Sequence, residues 1–242
     1  EDEAICKQLA KRNKSGAAEL SAGGLGLFRG LGTELSEGFN AVRKQDDNTL
    51  NGVASKREAL ANYQKNAGND DRVILAKMYV SAYIGKRDVK SKVPTSNELF
   101  AYINGEDCAE YVAFANEVTT KAKVMIWPVA FPEVFLNGGF DVILANPPWD
   151  KITLQEEEFF STRVPSIAAA VNQNERKQLI KALGSAKPGS MEYEFYQEYV
   201  EAKRFTEATS AFAHDPSRYP LTGRGIVNLY ALFSENVVSL LN

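Results

Sequence analysis

The sequence predicts a mainly α-helical chain with few strands, and three observations lead there. Apolar residues recur at helical spacing through most of the chain. The first 120 or so residues read almost entirely as helices, and the character changes only at Lys123. Beyond that point one run, Phe140-Asp-Val-Ile-Leu-Ala145, is apolar, β-branched and bounded by turn signals, as a buried strand of a parallel sheet would be.

At the N-terminus, residues 1–20 read as a short polar helix. The stretch Ser21 to Gly32 is the most glycine-dense in the chain, yet it does not fit a nucleotide-binding loop. Polar, strand-poor residues precede it, and Arg29 stands where a third glycine should follow Gly24 and Gly26. A surface loop accounts for it better. Residues 40–70 are polar and suggest a helix between loops. From Asp71 to Lys86 the apolar residues Val73, Ile74, Leu75, Met78, Tyr79, Ala82 and Tyr83 have helical spacing with one buried face. Thr95-Ser96-Asn97-Glu98 is a capping box opening a further short helix. Glu106 to Lys121 is amphipathic again.

Past Lys123, Val124 to Trp127 is expected as a short strand, and Leu136-Asn-Gly-Gly139 as a turn leading into the strand at 140–145. The prolines of Asn146-Pro147-Pro148-Trp149 end that strand, because neither can donate to a ladder. Helices are then expected over Gln155–Phe160, Asn174–Leu183, Met191–Ala213 (capped by Ser190) and Val227–Leu241. The aromatic stripe Tyr193, Phe195, Tyr196, Tyr199 and Phe205 reads as core packing. Residues 214–225 form a Pro/Gly-rich loop in which Arg218 and Arg224 are solvated.

Bulk properties narrow the function. The 242 residues are 44% hydrophobic and 24% charged, which suits one large or two small globular domains. No run approaches the roughly 18 apolar residues of a membrane span, and no signal peptide is visible. Cys6, Cys108 and His214 are too few for a zinc site. His214 reads as a helix-ending, solvated residue, and two isolated cysteines suit the cytoplasm. Net charge is −3. A duplex-binding domain usually carries a basic footprint, so any grip on DNA is expected from surface elsewhere. The chain opens on Glu1 and closes on Asn242 inside helical patterns, so it is expected to be a piece of a longer enzyme.

The chemistry concentrates at Asn146, Pro147, Pro148 and Trp149. An aromatic amine is a poor nucleophile because its lone pair is conjugated into the ring. Two acceptors, an Asn side-chain oxygen and the Pro147 carbonyl, can hold both of its N–H groups and compensate the charge that develops on alkylation. The prolines stiffen the backbone and remove competing donors. Trp149 can lie on the face of the ring, a contact worth roughly 1–3 kcal/mol per base. The tetrapeptide by itself is also compatible with a simple strand-ending turn in a helical interaction module.

The flanks narrow the choice. Phe131-Pro-Glu-Val-Phe135, followed by Gly138-Gly-Phe-Asp-Val-Ile-Leu-Ala-Asn-Pro-Pro-Trp149, closely resembles the motif IV region of large bacterial N6-adenine DNA methyltransferases. These include type IIG restriction-modification enzymes and phage-exclusion methylases. Asn228-Leu-Tyr-Ala-Leu-Phe233 is similar to a helix that follows in that family. The resemblance covers residues 124–153 and 224–240, with Ala145 where the family commonly has Gly.

The resemblance implies a parent domain with a doubly wound, Rossmann-like α/β sheet that binds S-adenosyl-L-methionine and flips adenine out of double-stranded DNA. It implies that Asn146, Pro147 and Trp149 bind the amine, with Pro148 structural. Residues 1–122 are then a helical insertion or spacer, and 123–242 part of the catalytic domain. The family's SAM-binding glycine motif is not found, so this chain is expected to bind SAM weakly or not at all. The 140–145 strand is expected to pair with Val124–Trp127 or with a second copy. RNA adenine and protein glutamine are the alternative amines. Oligomeric state is left open.

Overall fold

A computed structural model describes residues 3–23 and 31–242. The chain divides into two compact units. The first takes in residues up to Ala145 together with Val237–Asn242, and the second runs from Asn146 to Asn236.

In the first unit the helices follow in order: α1 (Glu3–Gly23), α2 (Leu31–Arg43), α3 (Leu50–Ala67), α4 (Asp71–Ile84), α5 (Ser96–Ile103), α6 (Ala109–Lys121), α7 (Trp127–Ala130) and α8 (Pro132–Leu136). Their starts are set by local chemistry. Thr49 and Asp70 accept from the amides of Gly52 and Arg72, satisfying donors that a helix start leaves unpaired. At α5 the Glu98 carboxylate accepts from both the amide and the hydroxyl of Thr95, at 2.8 and 2.6 Å. That carboxylate is nearly buried, and Arg12 of α1 pairs with it while also donating to the Tyr111 hydroxyl.

Two cores form. One gathers Leu35, Val42, Tyr63, Ala67 and Val73, with Ile126 and Val129 packed on it, and Tyr63 donates to the Val129 carbonyl at 3.0 Å. The other gathers Leu75, Met78, Leu99 and Ala115 where α4 packs on α6. The helix expected over Asp71–Lys86 is present with the buried face that the spacing gave. The glycine-rich loop expected within 21–32 falls largely on residues 24–30, outside the described residues.

The second unit holds α9 (Glu156–Ser161), α10 (Pro165–Ala168), α11 (Gln173–Gly184), α12 (Met191–Ala213) and the greater part of α13 (Leu229–Leu240). Asn172 and Ser190 cap α11 and α12 through the amides of Glu175 and Tyr193. Phe160, Ile167, Ile180 and Tyr199 make one core, with Tyr196 packed against it, whereas Phe205, read from the sequence as part of the same core-packing stripe, is exposed. Ala213, Val227 and Leu232 make the other, with Ile152, Tyr219 and Leu229 around them. Among the described residues no helix is long and apolar enough to cross a membrane.

The expected strands did not materialise, and with them the doubly wound α/β sheet is overturned. Among the described residues only two isolated bridges occur, Phe140 with Leu241 (parallel) and Lys151 with Asn228 (antiparallel). Val124–Trp127 does not pair either. Trp127 instead opens α7, where Pro128 supplies a preset helical φ. The run 140–145 has the composition of a buried strand but lacks its neighbours. Phe140 donates to the Leu240 carbonyl (2.9 Å) and accepts from the Asn242 amide (3.1 Å), and among the described residues 141–149 make no backbone–backbone hydrogen bond. Val142 and Leu144 are exposed in consequence, at 70% and 93%. β-propensity describes fit to a pleated neighbour, and without one the chain is extended but unpaired.

Candidate active site

The approach to Asn146 is built from short, stiff pieces. Pro132 at the first turn of α8 lets helix form inside Phe131-Pro-Glu-Val-Phe135. Gly138 and Gly139 then turn the chain with φ of +100° and +148°. A Cβ on Gly139 would stand 2.5 Å from the Leu240 carbonyl oxygen, so only glycine admits the approach that lets Phe140 pair with 240–242. The Phe140 ring lies edge-on to Trp127, Phe131 and Phe135, at centroid distances of 6.0, 5.5 and 5.9 Å. A cleft of about 450 Å³ opens beside it, lined by Glu133, Asn137, Asp141 and Val142 among others.

Asn146, Pro147, Pro148 and Trp149 begin the second unit as an irregular segment outside helix and bridge. Asn146 and Pro148 are exposed and Pro147 is half-buried. Among the described residues none hydrogen-bonds the Asn146 carboxamide or the Pro147 carbonyl, so both acceptors are open to an incoming group. Trp149 is 77% exposed and meets the ring of Tyr230 at 5.6 Å, tilted by 37°.

The segment is anchored just downstream. The Asp150 carbonyl accepts from the Leu229 amide at 2.9 Å, the Ile152 amide donates to the Val227 carbonyl at 3.2 Å, and Lys151 bridges Asn228. The N-terminal end of α13 is thereby stitched to the residues following Trp149.

The remaining polar candidates lie apart from this chemistry. His214 ends α12, with Nδ1 2.7 Å from the Ser210 carbonyl and 3.5 Å from the Ser210 hydroxyl, and Nε2 3.1 Å from the Gly225 carbonyl. Arg218 and Arg224 are exposed loop residues, as the sequence suggested. The residue that sequence reasoning missed is Tyr230. It stands within the quoted Asn228–Phe233 run, but nothing in that run signals which distant ring it meets.

Comparison with known proteins supplies the class: the chain is of the restriction-modification methylase kind. It belongs to the Eco57I restriction-modification methylase family, which matches residues 72–197, just over half of the chain. No curated protein and no solved structure matches it.

Proposed function

We propose that this chain carries the target-amine pocket of an S-adenosyl-L-methionine-dependent, adenine-N6-specific DNA methyltransferase, of a restriction-modification or phage-defence system. The observation that carries the reading is the pair of unoccupied acceptors, the Asn146 side-chain oxygen and the Pro147 carbonyl, next to a solvent-facing indole. Membership of a methylase family, matched over residues 72–197, supports reading that arrangement as a site and not as a simple turn.

In this reading an adenine flipped out of double-stranded DNA lies against Trp149 and donates its two N6 hydrogens to Asn146 and Pro147. Held so, the nitrogen is drawn from planarity and its lone pair is freed for the methyl group. Methyl transfer would form the N6–carbon bond as the donor's sulfonium–methyl bond breaks and leaves a thioether, and the nitrogen would give up one proton to solvent. The alkylated aryl amine is acidic enough to need no dedicated base.

S-adenosyl-L-methionine supplies an electrophilic methyl group when bound. The described residues do not offer it a cradle. The tight glycine turn at Gly138-Gly139 is filled by the chain's own Leu240–Asn242, and no residue here is assigned to the cofactor. The test is product identity. The complete protein, given DNA and a methyl-labelled donor, should yield labelled N6-methyladenine on digestion. Label only in RNA or protein would sink the reading.

A further inference from the structure

We infer that Tyr230 is a positioning residue for methyl transfer, holding the Trp149 indole in the attitude that receives the flipped base. The inference rests on the reading of Asn146–Trp149 as the amine pocket.

Trp149 needs such a support. It follows two prolines on an irregular segment that makes no backbone–backbone hydrogen bond among the described residues, and it is 77% exposed. An indole in that setting would be spread over several rotamers, and ordering it on binding would cost affinity. The ring of Tyr230 is the aromatic group it meets, at 5.6 Å and 37°. Offset aromatic pairs at this separation attract beyond the area they bury.

Tyr230 is well placed to give that support because it is itself fixed. The residue before it, Leu229, donates to the carbonyl of Asp150, the residue after Trp149. The two rings are thus one residue away on either side from a shared backbone hydrogen bond. Val227 and Leu232, three residues before and two after Tyr230, are 5% and 7% exposed and buried with Ala213. The Tyr230 carbonyl accepts from the Ser234 hydroxyl at 2.8 Å, and Ala231 and Leu232 donate to the Asn228 carbonyl. Tyr230 therefore rides on an anchored first turn of α13 while its own side faces solvent at 41% exposure. The indole meets this fixed ring in a tilted contact, and its remaining, exposed surface is left for a base.

The experiment has two arms. In the first, Trp127→Phe leaves Trp149 as the sole tryptophan of the sequence, and acrylamide quenching reports how far it is covered. Tyr230→Ala should raise the quenching and Tyr230→Phe should leave it unchanged. In the complete protein, Tyr230→Ala should raise KM for DNA about threefold to tenfold, with a smaller change in kcat, and Tyr230→Phe should restore it. Unchanged quenching in Tyr230→Ala would overturn the inference, as would Tyr230→Phe behaving like Tyr230→Ala, or a fall in kcat at constant KM. Full activity in Asn146→Ala would instead overturn the pocket reading, while the quenching arm still reports the ring contact.

Discussion

The amide of Leu229 donates to the carbonyl of Asp150 at 2.9 Å, so the start of α13 is fastened to the residue next to Trp149. A solvent-facing indole on an irregular segment gains a defined place from this one bond and the ring contact beside it. Catalysis by positioning asks for such preorganisation, since little acid–base work is left to the protein.

Trp149→Ala removes a ring that is mostly exposed, so the fold should tolerate it. The lost stacking, about 1–3 kcal/mol, should appear as weaker capture of the target base. Steady-state assays of the complete protein should then show a raised KM for DNA at an unchanged KM for the methyl donor. Equal loss of both would mean that Trp149 supports packing instead.

Glu235 holds α13 to the preceding loop, accepting from the amides of Leu221 (3.0 Å) and Thr222 (2.9 Å) and from the Thr222 hydroxyl. Desolvation pushes its carboxyl up, but the hydroxyl and the two amides together outweigh this and hold it below the ordinary carboxylate range. A carboxyl lowered on folding contributes stability above its unfolded pKa of about 4.3 and loses it as pH falls through the folded value. Glu235→Gln should therefore lower Tm at neutral pH, with the gap to wild type closing as pH falls below the unfolded value and through the folded one. A gap independent of pH would show that the charge is not what holds the loop.

Gly139→Ala should destabilise by about 1–3 kcal/mol, read as a lower urea midpoint at unchanged m value. The new Cβ meets the Leu240 carbonyl oxygen at 2.5 Å, in a backbone conformation that L side chains rarely adopt. Unaltered stability would mean that Phe140 does not pair with Leu240 and Asn242.

Helices were legible where caps and periodicity agree. Met191–Ala213 could be read from Ser190 and the apolar spacing, and the short helix at Ser96 from Thr95 and Glu98. The strand at 140–145 misled because its apolar, β-branched composition states a preference for a sheet without containing one. Helix formation inside Phe131–Phe135 was hidden in the flank, where Pro132 reads as a break but serves as a first-turn residue. At the site, the four residues Asn146 to Trp149 could be picked out from their chemistry. Their exposure could not, and neither could the Trp149–Tyr230 contact, because both depend on tertiary structure and the second joins residues far apart in the chain.

The most direct test of the account is nucleoside mass spectrometry on DNA exposed to the complete protein, wild type beside Asn146→Ala. The carboxamide is exposed and unbonded among the described residues, so the variant should fold as wild type does. Its N6-methyladenine should fall by about 10²–10³-fold, the scale of losing one preorganised group at a developing charge. N6-methyladenine persisting at the wild-type level in Asn146→Ala, or a wild-type product other than N6-methyladenine, would contradict the account.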